Sequence, residues 1–112
     1  MPEANGLSET ELPGVSDDGL LAKVAQRDER ALAELFRRYQ NRVMNLAYRY
    51  LRDRDAAELA TQDTFVNIWN KAGSFRGEAQ VWTWIYRITV NLCYDRRPRR
   101  LVREVELDEM MP

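Results

Sequence analysis

The chain has 112 residues, of which 45% are hydrophobic and 31% are charged, a composition typical of one small globular domain. It has no histidine and a single cysteine, Cys93, which excludes an internal disulfide and favours a reducing, cytoplasmic location. No apolar run reaches the roughly 18 residues of a transmembrane helix, and no secretory signal pattern opens the chain. We therefore expect no membrane insertion.

The formal net charge of −1 conceals an uneven distribution of charge along the chain. Residues 1–20 carry five acidic and no basic side chains, and residues 104–112 carry four acidic and no basic ones. Residues 21–103 hold all 17 Lys and Arg against nine acids, which gives this body a charge of +8. Such a body favours a polyanionic partner. A basic cluster also stabilises a helix C-terminus, so charge alone leaves both interpretations open.

The first half of the chain predicts a leader followed by two helices. Residues 1–15 combine proline, glycine and acids without periodicity, which predicts a disordered acidic leader. Ser16 is a candidate N-cap for a short helix to about Arg27, and Asp28 is a candidate N-cap for the next. The second helix is predicted over residues 29–51, where apolar residues recur at steps of three and four.

A third helix is predicted over residues 56–71, because Asp55 and Glu58 have the spacing of a capping box. Its expected apolar side consists of Leu59, Phe65, Val66 and Trp69. Asp53, Asp55 and Glu58 also suggest a carboxylate metal site, but acids at a helix start usually serve as caps. We therefore predict no metal and no other cofactor.

A loop and a fourth helix complete the predicted elements. Residues 72–78 are polar and contain two glycines, which predicts a loop that presents Phe75. The fourth helix is predicted over about residues 79–97 and ends before Pro98. Its expected buried residues are Val81, Trp84, Ile85, Ile88 and Leu92, with Cys93 buried or half-buried. The predicted fold is all-α, a compact bundle of three long helices and one short helix.

The chemistry that the sequence favours is binding. Without a histidine, a cysteine pair, a phosphate-binding glycine loop or a nucleophile elbow, the chain is predicted not to be an enzyme. Aromatic and basic residues interleave over residues 75–97, and single-stranded nucleic acids are bound by such surfaces. Helical periodicity places Trp84 toward the core and leaves Trp82, Tyr86 and Arg87 as surface candidates. Asn91 has two open interpretations, a solvent-facing position or a hydrogen-bonding role.

Several stretches resemble region 2 of the extracytoplasmic-function (group 4) sigma factors, alternative subunits of bacterial RNA polymerase. The resemblance covers about residues 17–100, and its most specific part is the loop motif followed by the start of the fourth helix. The stretches that carry it are Glu29-Arg30-Ala31, Leu35-Phe36-Arg37-Arg38-Tyr39, Ala57-Glu58, Gln62-Asp63-Thr64-Phe65-Val66, Ile68-Trp69, Ser74-Phe75-Arg76-Gly77-Glu78, Thr83-Trp84-Ile85-Tyr86-Arg87-Ile88, Val90-Asn91 and Asp95-Arg96-Arg97.

The resemblance implies a transcription initiation factor domain that binds RNA polymerase core. The third helix would dock on the coiled-coil clamp of the β′ subunit, and its polar side would become an interface. The implied polymerase-binding residues are Glu58, Gln62, Asp63 and Asn67. Without the resemblance, such a polar side would be interpreted as an ordinary solvated face.

The resemblance also implies that the domain recognises and melts the promoter −10 element. The loop and the fourth helix would capture a flipped base of the non-template strand, with Phe75 as a wall and Asn91 closing the pocket. Arg76, Arg87, Arg96 and Arg97 would contact phosphates. The full set of implied DNA-binding residues is Phe75, Arg76, Gly77, Trp82, Tyr86, Arg87, Asn91, Arg96 and Arg97.

Some features depart from the family pattern or lie outside it. Leu59-Ala60 follows Glu58 where the family usually has a second acid and a leucine, and Pro98 interrupts a basic helix end. We expect residues 16–100 to form the helical domain and residues 101–112 to begin an acidic interdomain linker, with the −35-reading domain absent. An anti-sigma factor is a further expected partner. The alternative function is a helical protein-interaction domain that binds no nucleic acid.

Overall fold

The computed structural model describes residues 12–96, and those residues form a helical bundle. Its helices are α1 (Asp17–Ala25), α2 (Glu29–Leu51), α3 (Arg54–Lys71) and α4 (Val81–Arg96), with 3-10 turns at Leu12–Gly14 and Ala72–Ser74. Within this range there is no strand, so the predicted all-α class with three long helices and one short helix is confirmed. Within residues 12–96, no helix has the length and hydropathy needed to span a bilayer.

Two helix starts follow directly from side chains that the sequence identifies as caps. Ser16 Oγ accepts a hydrogen bond from the Gly19 amide at 3.1 Å, at the start of α1. Asp28 Oδ1 accepts from the amides of Arg30 at 3.0 Å and Ala31 at 3.4 Å, at the start of α2. These bonds satisfy amides that have no partner inside the helix, so both predicted caps are confirmed.

The predicted cap of α3 is wrong by two residues. Asp53, in an extended backbone conformation, accepts a hydrogen bond from the Ala56 amide at 2.9 Å, and the helix begins at Arg54. Glu58 forms an ion pair with the Arg54 side chain at 3.3 Å instead of capping the backbone. The described residues contain no group of three His, Cys, Asp or Glu side chains placed to hold a metal ion.

The bundle has a large core and a smaller second cluster. Among the fully buried side chains of the large core, Leu20 and Leu21 come from α1, Leu35 and Val43 from α2, Ile68 from α3 and Ile85 from α4. Burying side chains of this size stabilises the fold by about 1.5–3 kcal/mol each. The second cluster is built largely from small residues, Ala47, Leu51, Ala57, Ala60 and Cys93. Small residues let α2, α3 and α4 approach closely there.

The inner side of α3 differs from the predicted one. Leu59 is 60% exposed and Val66 is 54% exposed, although both are apolar. Phe65 is buried as predicted, and the rest of the inner side consists of Ile68 and the small residues Ala57, Ala60, Thr61 and Thr64. The buried Thr64 hydroxyl bonds to the Ala60 carbonyl at 2.9 Å and lies 3.3 Å from the hydroxyl of Thr89 on α4. Because the buried hydroxyls have partners, a small polar face packs inside and two larger apolar side chains face solvent.

Residues 12–15 pack against the bundle, so the disorder predicted for these four residues is wrong. Leu12 is buried in the core. Arg38 donates to the carbonyls of Leu12 at 3.1 Å and Pro13 at 3.0 Å, and pairs with Asp17 at 2.9 Å. One buried leucine and one arginine with several partners therefore hold this turn against α2. Residues 1–11, Arg97, Pro98 and the predicted linker lie outside the described residues.

Helix α4 begins at Val81, two residues later than predicted. Val81 and Ile85 are buried as expected, whereas Trp84, Ile88 and Leu92 are only half-buried. Thr89 and Cys93 complete the buried side of the helix. Burial raises the pKa of the Cys93 thiol. The half-buried Trp84 is therefore available to the neighbouring loop.

Candidate functional site

The loop between α3 and α4 forms one wall of a cavity of about 130 Å³. Ser74 Oγ donates to the Lys71 carbonyl at 2.7 Å, and the Phe75 amide donates to the Ala72 carbonyl at 3.2 Å. These bonds close the 3-10 turn and hold Phe75 half-buried, with its ring edge-to-face against Trp84 at a centroid distance of 5.7 Å. The lining residues are Ser74, Phe75, Arg76, Glu78, Ala79, Trp84 and Arg87.

The loop conformation depends on Gly77. Its φ of 76° lies in a region that residues with a Cβ rarely adopt, although a Cβ built there would meet no atom within 4 Å. Backbone conformation, and not lack of space, therefore requires glycine at this position.

The structure brings together three of the implied DNA-binding residues. Phe75, Arg76 and Arg87 line the cavity, and both arginines are exposed. Asn91 is also exposed but lies about one turn further along α4 and is not among the lining residues. The cavity thus has an aromatic wall and two cations, with the Asn91 amide beyond its border. Trp84, which the sequence assigns to the core, supplies the second aromatic surface.

Trp82 and Tyr86 lie on a different side of α4, next to α2. The half-buried Trp82 ring stacks on Tyr39 with a centroid distance of 5.6 Å and an angle of 5° between the ring planes. The guanidinium carbon of Arg42 lies 4.1 Å from the Trp82 ring centroid. Tyr86 packs edge-to-face on Trp82 at 6.0 Å and is 41% exposed. We refer to Arg42, Trp82 and Tyr86 as the aromatic platform.

Tyr39, on which Trp82 of the aromatic platform stacks, is anchored to α1 by a hydrogen bond. The Tyr39 hydroxyl, beneath Trp82, donates to Asp17 Oδ2. Burial and this contact with the carboxylate raise the pKa of Tyr39 to about 12. Tyr39 therefore stays neutral at physiological pH and serves as a rigid base for the stacked rings.

The four α3 residues implied for polymerase binding do not share one surface. Glu58 and Gln62 are exposed and line a cleft of about 270 Å³ between α3 and α2. Asp63 pairs with Arg96 of α4. Asn67 is half-buried and its side-chain amide donates to the Asp63 carbonyl at 2.8 Å. The structure brings Glu58 and Gln62 together and directs Asp63 toward α4. Arg97, the other phosphate candidate beside Arg96, lies outside the described residues.

An apolar groove, not predicted from the sequence, lies between α2 and α3. The groove has a volume of about 740 Å³, and its walls include Phe36 and Phe65, packed edge-to-face at 4.9 Å. The lining residues are Glu29, Leu32, Ala33, Phe36, Gln62, Phe65, Val66 and Trp69. We call this the α2–α3 groove. Contiguous exposed apolar surface of this kind is typical of protein-binding sites.

One sequence signal predicts that some apolar residues of α3 face outward. At about 100° per residue, Leu59 and Val66 fall on the side of the helix opposite Ile68. A single helix cannot bury all three against the same neighbours. The packing of α3 on α2 and α4 decides which of these side chains face solvent.

Arg27 connects the corner between α1 and α2 to the end of α3. Its backbone has a φ of 69°, and its guanidinium donates to the Trp69 carbonyl at 3.0 Å. The same guanidinium lies 4.9 Å from the Trp69 ring centroid. Arg27 therefore holds one wall of the α2–α3 groove just before the chain enters the Phe75 loop.

Comparisons with known proteins agree with this architecture. Residues 35–101, more than half of the chain, match the Sigma-70 region 2 family. The ECF RNA polymerase sigma-E factor of Haemophilus influenzae is 39% identical over 77 residues, which cover 69% of this chain and 40% of that protein. The ECF RNA polymerase sigma factor SigM of Mycobacterium tuberculosis is 40% identical over 84 residues, or 75% and 43% of the two chains. The chain spans about two fifths of the length of these relatives.

A similar solved structure matches nearly the whole helical bundle. An NMR structure of the complex formed by an engineered region 2 of sigmaE in complex with GTAAAA gives a TM-score of 0.65 at 30% sequence identity. The match covers 80% of this chain and 88% of that one. The sequence match over residues 35–101 and the shared helical fold together show that this chain belongs to the Sigma-70 region 2 family.

Proposed function

We propose that this chain is the polymerase- and promoter-contacting domain of an extracytoplasmic-function (group 4) sigma factor, acting in the cytoplasm as a transcription initiation factor. The observation that carries the proposal is the cavity formed by Phe75, Trp84 and Arg87 within a chain of the Sigma-70 region 2 family. The domain performs no catalysis. Binding energy opens the promoter, and the polymerase supplies the catalytic site.

The Phe75 cavity receives a flipped base of the non-template strand at the −10 element. Extracting a base costs a few kcal/mol, and stacking on an aromatic ring returns about 1–3 kcal/mol per base. Phe75 and Trp84 supply that stacking, and Asn91 reads a base edge through its amide. Support comes from the similar region 2 structure in complex with GTAAAA.

Phosphate contacts position the strand around this cavity. Arg76 and Arg87 flank the cavity and are exposed, so their guanidinium groups can reach the backbone of a bound strand. Arg96 extends the basic surface at the end of α4. Arg97, which lies outside the described residues, is a further candidate for a phosphate contact. Trp82 and Tyr86 offer rings for neighbouring bases on the other side of the helix.

The polymerase-binding surface combines the polar residues of α3 with the α2–α3 groove. Glu58 and Gln62 lie beside exposed apolar side chains, of which Val66 is 54% and Phe36 is 37% exposed. An apolar centre with a polar rim suits the coiled-coil clamp of the β′ subunit, since a helix can place its apolar side in such a groove. An anti-sigma factor inhibits the domain by covering the same surface.

The α2–α3 groove by itself also suits the second candidate function, a helical protein-interaction domain without nucleic-acid binding. The two functions differ in one measurable property. Only the sigma-factor function requires sequence-selective binding to single-stranded DNA with strong salt dependence.

Fluorescence anisotropy tests the proposed function. Labelled single strands that contain GTAAAA are compared with strands of randomised sequence at two salt concentrations, using the full chain. We expect Phe75→Ala to weaken binding to the GTAAAA strand by about 5- to 150-fold, the range expected for one stacked base. Asn91→Ala should lower the preference for GTAAAA over random sequence.

Leu59→Ala is the matched control, because it truncates an exposed side chain on α3. Its binding should equal that of the unmodified chain. If Phe75→Ala and Asn91→Ala also bind like the unmodified chain, the assignment of the base pocket is wrong. If no protein binds any strand at low salt, the protein-interaction function is favoured.

A further inference from the structure

The described arginines fall into two groups that differ in their partners. Five of them pair with carboxylates, and these are Arg30, Arg37, Arg38, Arg54 and Arg96. Six others form no ion pair within residues 12–96, and these are Arg27, Arg42, Arg49, Arg52, Arg76 and Arg87. The first group has much of its charge neutralised inside the protein. The second group is available to an external anion.

Unlike Arg27, whose guanidinium already donates to the Trp69 carbonyl, Arg42 is held in place by contacts with aromatic rings. It is exposed, and its guanidinium carbon lies 4.1 Å from the Trp82 centroid and 5.3 Å from the Tyr39 centroid. A guanidinium that lies over a ring still has N–H donors at its edge. Because the contact already orders the side chain, less conformational entropy is lost when those donors bind a phosphate.

A cavity of about 330 Å³ lies beside Arg42, at the start of α4. It is lined by Asp17, Asp18, Tyr39, Arg42, Gln80, Val81 and Trp82. Ala79 lines the Phe75 cavity, and the next residue, Gln80, lines this one. The lining of the first cavity thus includes the residue just before α4, and the lining of the second includes its neighbour in sequence and the first turn of α4.

The acids in this cavity do not cancel the charge of Arg42. Asp17 is held by Arg38 at 2.9 Å and by the Tyr39 hydroxyl, so its charge is largely neutralised by its own partners. Asp18 is exposed and lies at the α1 side of the cavity. Its carboxylate repels a phosphate at that side, so Arg42 is the cationic side of the cavity.

We propose that the aromatic platform is a second nucleotide site, in which Arg42 binds a phosphate of the single strand and Tyr86 stacks on a base. This inference rests on the proposed function, since it extends the path of the same strand. It adds a residue of α2 to a DNA surface that the sequence confines to the loop and α4.

A purely structural role for Arg42 predicts a different result. If the guanidinium only covers the Trp82 ring, its removal changes the stability of the fold and leaves the salt dependence of DNA binding unchanged. A phosphate contact contributes about −0.7 to the slope of log K against log salt for a single strand. The slope therefore separates the two roles.

The experiment measures that slope by anisotropy with a labelled single strand, using the full chain and its variants. We expect Arg42→Gln and Arg42→Met to make the slope shallower by about 0.7, whereas Arg42→Lys retains it. Arg42→Met keeps an apolar side chain over Trp82, so it removes the charge with little change in packing. Tyr86→Ala should weaken all sequences alike.

Arg54→Gln is the matched control, because Arg54 is exposed on α3 and pairs with Glu58. Its slope should equal that of the unmodified chain. An unchanged slope in both neutral Arg42 variants would overturn the second site and leave the Phe75 cavity standing. Failure of the unmodified chain to bind any strand would overturn the proposed function and this inference together.

Discussion

Asp63 of α3 and Arg96 of α4 form an ion pair with each other, although the family resemblance assigns them to two different partners. Asp63 is implied for polymerase binding and Arg96 for contact with a DNA phosphate. Both side chains remain about two fifths exposed, at 44% and 39%. The ion pair therefore links the proposed polymerase-binding surface to the proposed DNA-binding surface. While it is formed, Asp63 partly neutralises the charge of Arg96.

Removing Asp63 should therefore strengthen DNA binding. A partly exposed ion pair is worth about 0–1 kcal/mol, so Asp63→Asn is expected to raise affinity for a single strand by up to about fivefold. Anisotropy at low salt measures the change. Glu58→Gln removes the same charge from the same helix but leaves Arg96 paired. Equal gains in both variants would attribute the effect to net charge and exclude the ion pair as its cause.

The α2–α3 groove should carry much of the affinity for polymerase. Val66→Lys places a charge in the middle of an apolar surface, and truncating or charging a central interface residue commonly costs more than 1 kcal/mol. We expect at least about fivefold weaker binding to a β′ clamp fragment, measured by calorimetry. The melting temperature should stay nearly unchanged because Val66 is already 54% exposed.

Tyr48→Lys provides the control for this substitution, since Tyr48 is 51% exposed on α2 and does not line the groove. It should bind the clamp fragment normally. Equal loss in both variants would point to charge repulsion and not to the groove.

Gly77 and Gly73 allow a matched test of the loop conformation. Gly77→Ala forces a side chain into a left-handed conformation, which costs about 1–2 kcal/mol. For a domain of this size, each kcal/mol lowers Tm by about 4–8 °C, so calorimetry can detect the change. Single-strand affinity should also fall, because the Phe75 loop relaxes. Gly73 has no positive φ and has space for a Cβ, so Gly73→Ala should leave both properties unchanged.

The ionisation of Glu34 should make the stability of the fold depend on pH in the acidic range. Hydrogen bonds from Arg37, at 2.6 and 3.0 Å, and from Arg38, at 2.8 Å, lower the pKa of Glu34 to about 2 from 4.5. The stabilisation is present above the unfolded pKa of 4.5 and is lost as pH falls toward 2. Glu34→Gln should therefore be less stable by about 1–2 kcal/mol at pH 7, after allowance for the exposure of Arg37.

Urea unfolding at neutral and acidic pH measures this difference. The difference in the free energy of unfolding between Glu34→Gln and the unmodified chain should shrink as pH falls from about 4.5 toward 2. Glu78→Gln, which removes an exposed loop carboxylate, should show little gap at any pH. A gap for Glu34→Gln that stays constant with pH would mean that its charge does not stabilise the fold.

Cys93 should be nearly inert in the folded protein. It is fully buried, and burial raises the pKa of its thiol, so little reactive thiolate is present and reagents cannot reach it. Alkylation at mildly alkaline pH is expected to be roughly 100-fold slower in the native chain than in denaturant. Mass spectrometry follows the reaction. Equal rates in both states would show that the second core cluster opens readily.

Local features of the sequence determined most of the secondary structure of this protein. Ser16 and Asp28 bond to amides two or three residues away, so their caps can be predicted from neighbouring residues alone. The predicted range of α2, residues 29–51, agrees with the structure because its apolar residues repeat with helical period. The shift from Asp55 to Asp53 at α3 arose because two nearby acids have almost the same local chemistry.

The functional surfaces were decided by tertiary structure. The orientation of Leu59 and Val66 toward solvent depends on how small residues let α3 approach α2 and α4. The stack of Arg42 on Trp82 and the pair of Asp63 with Arg96 join different helices. The periodicity of one helix defines which residues share a side, but it contains no information about the neighbour that each side meets. Packing sets those contacts, because the helices adopt an arrangement that buries the large core and gives the buried hydroxyls partners.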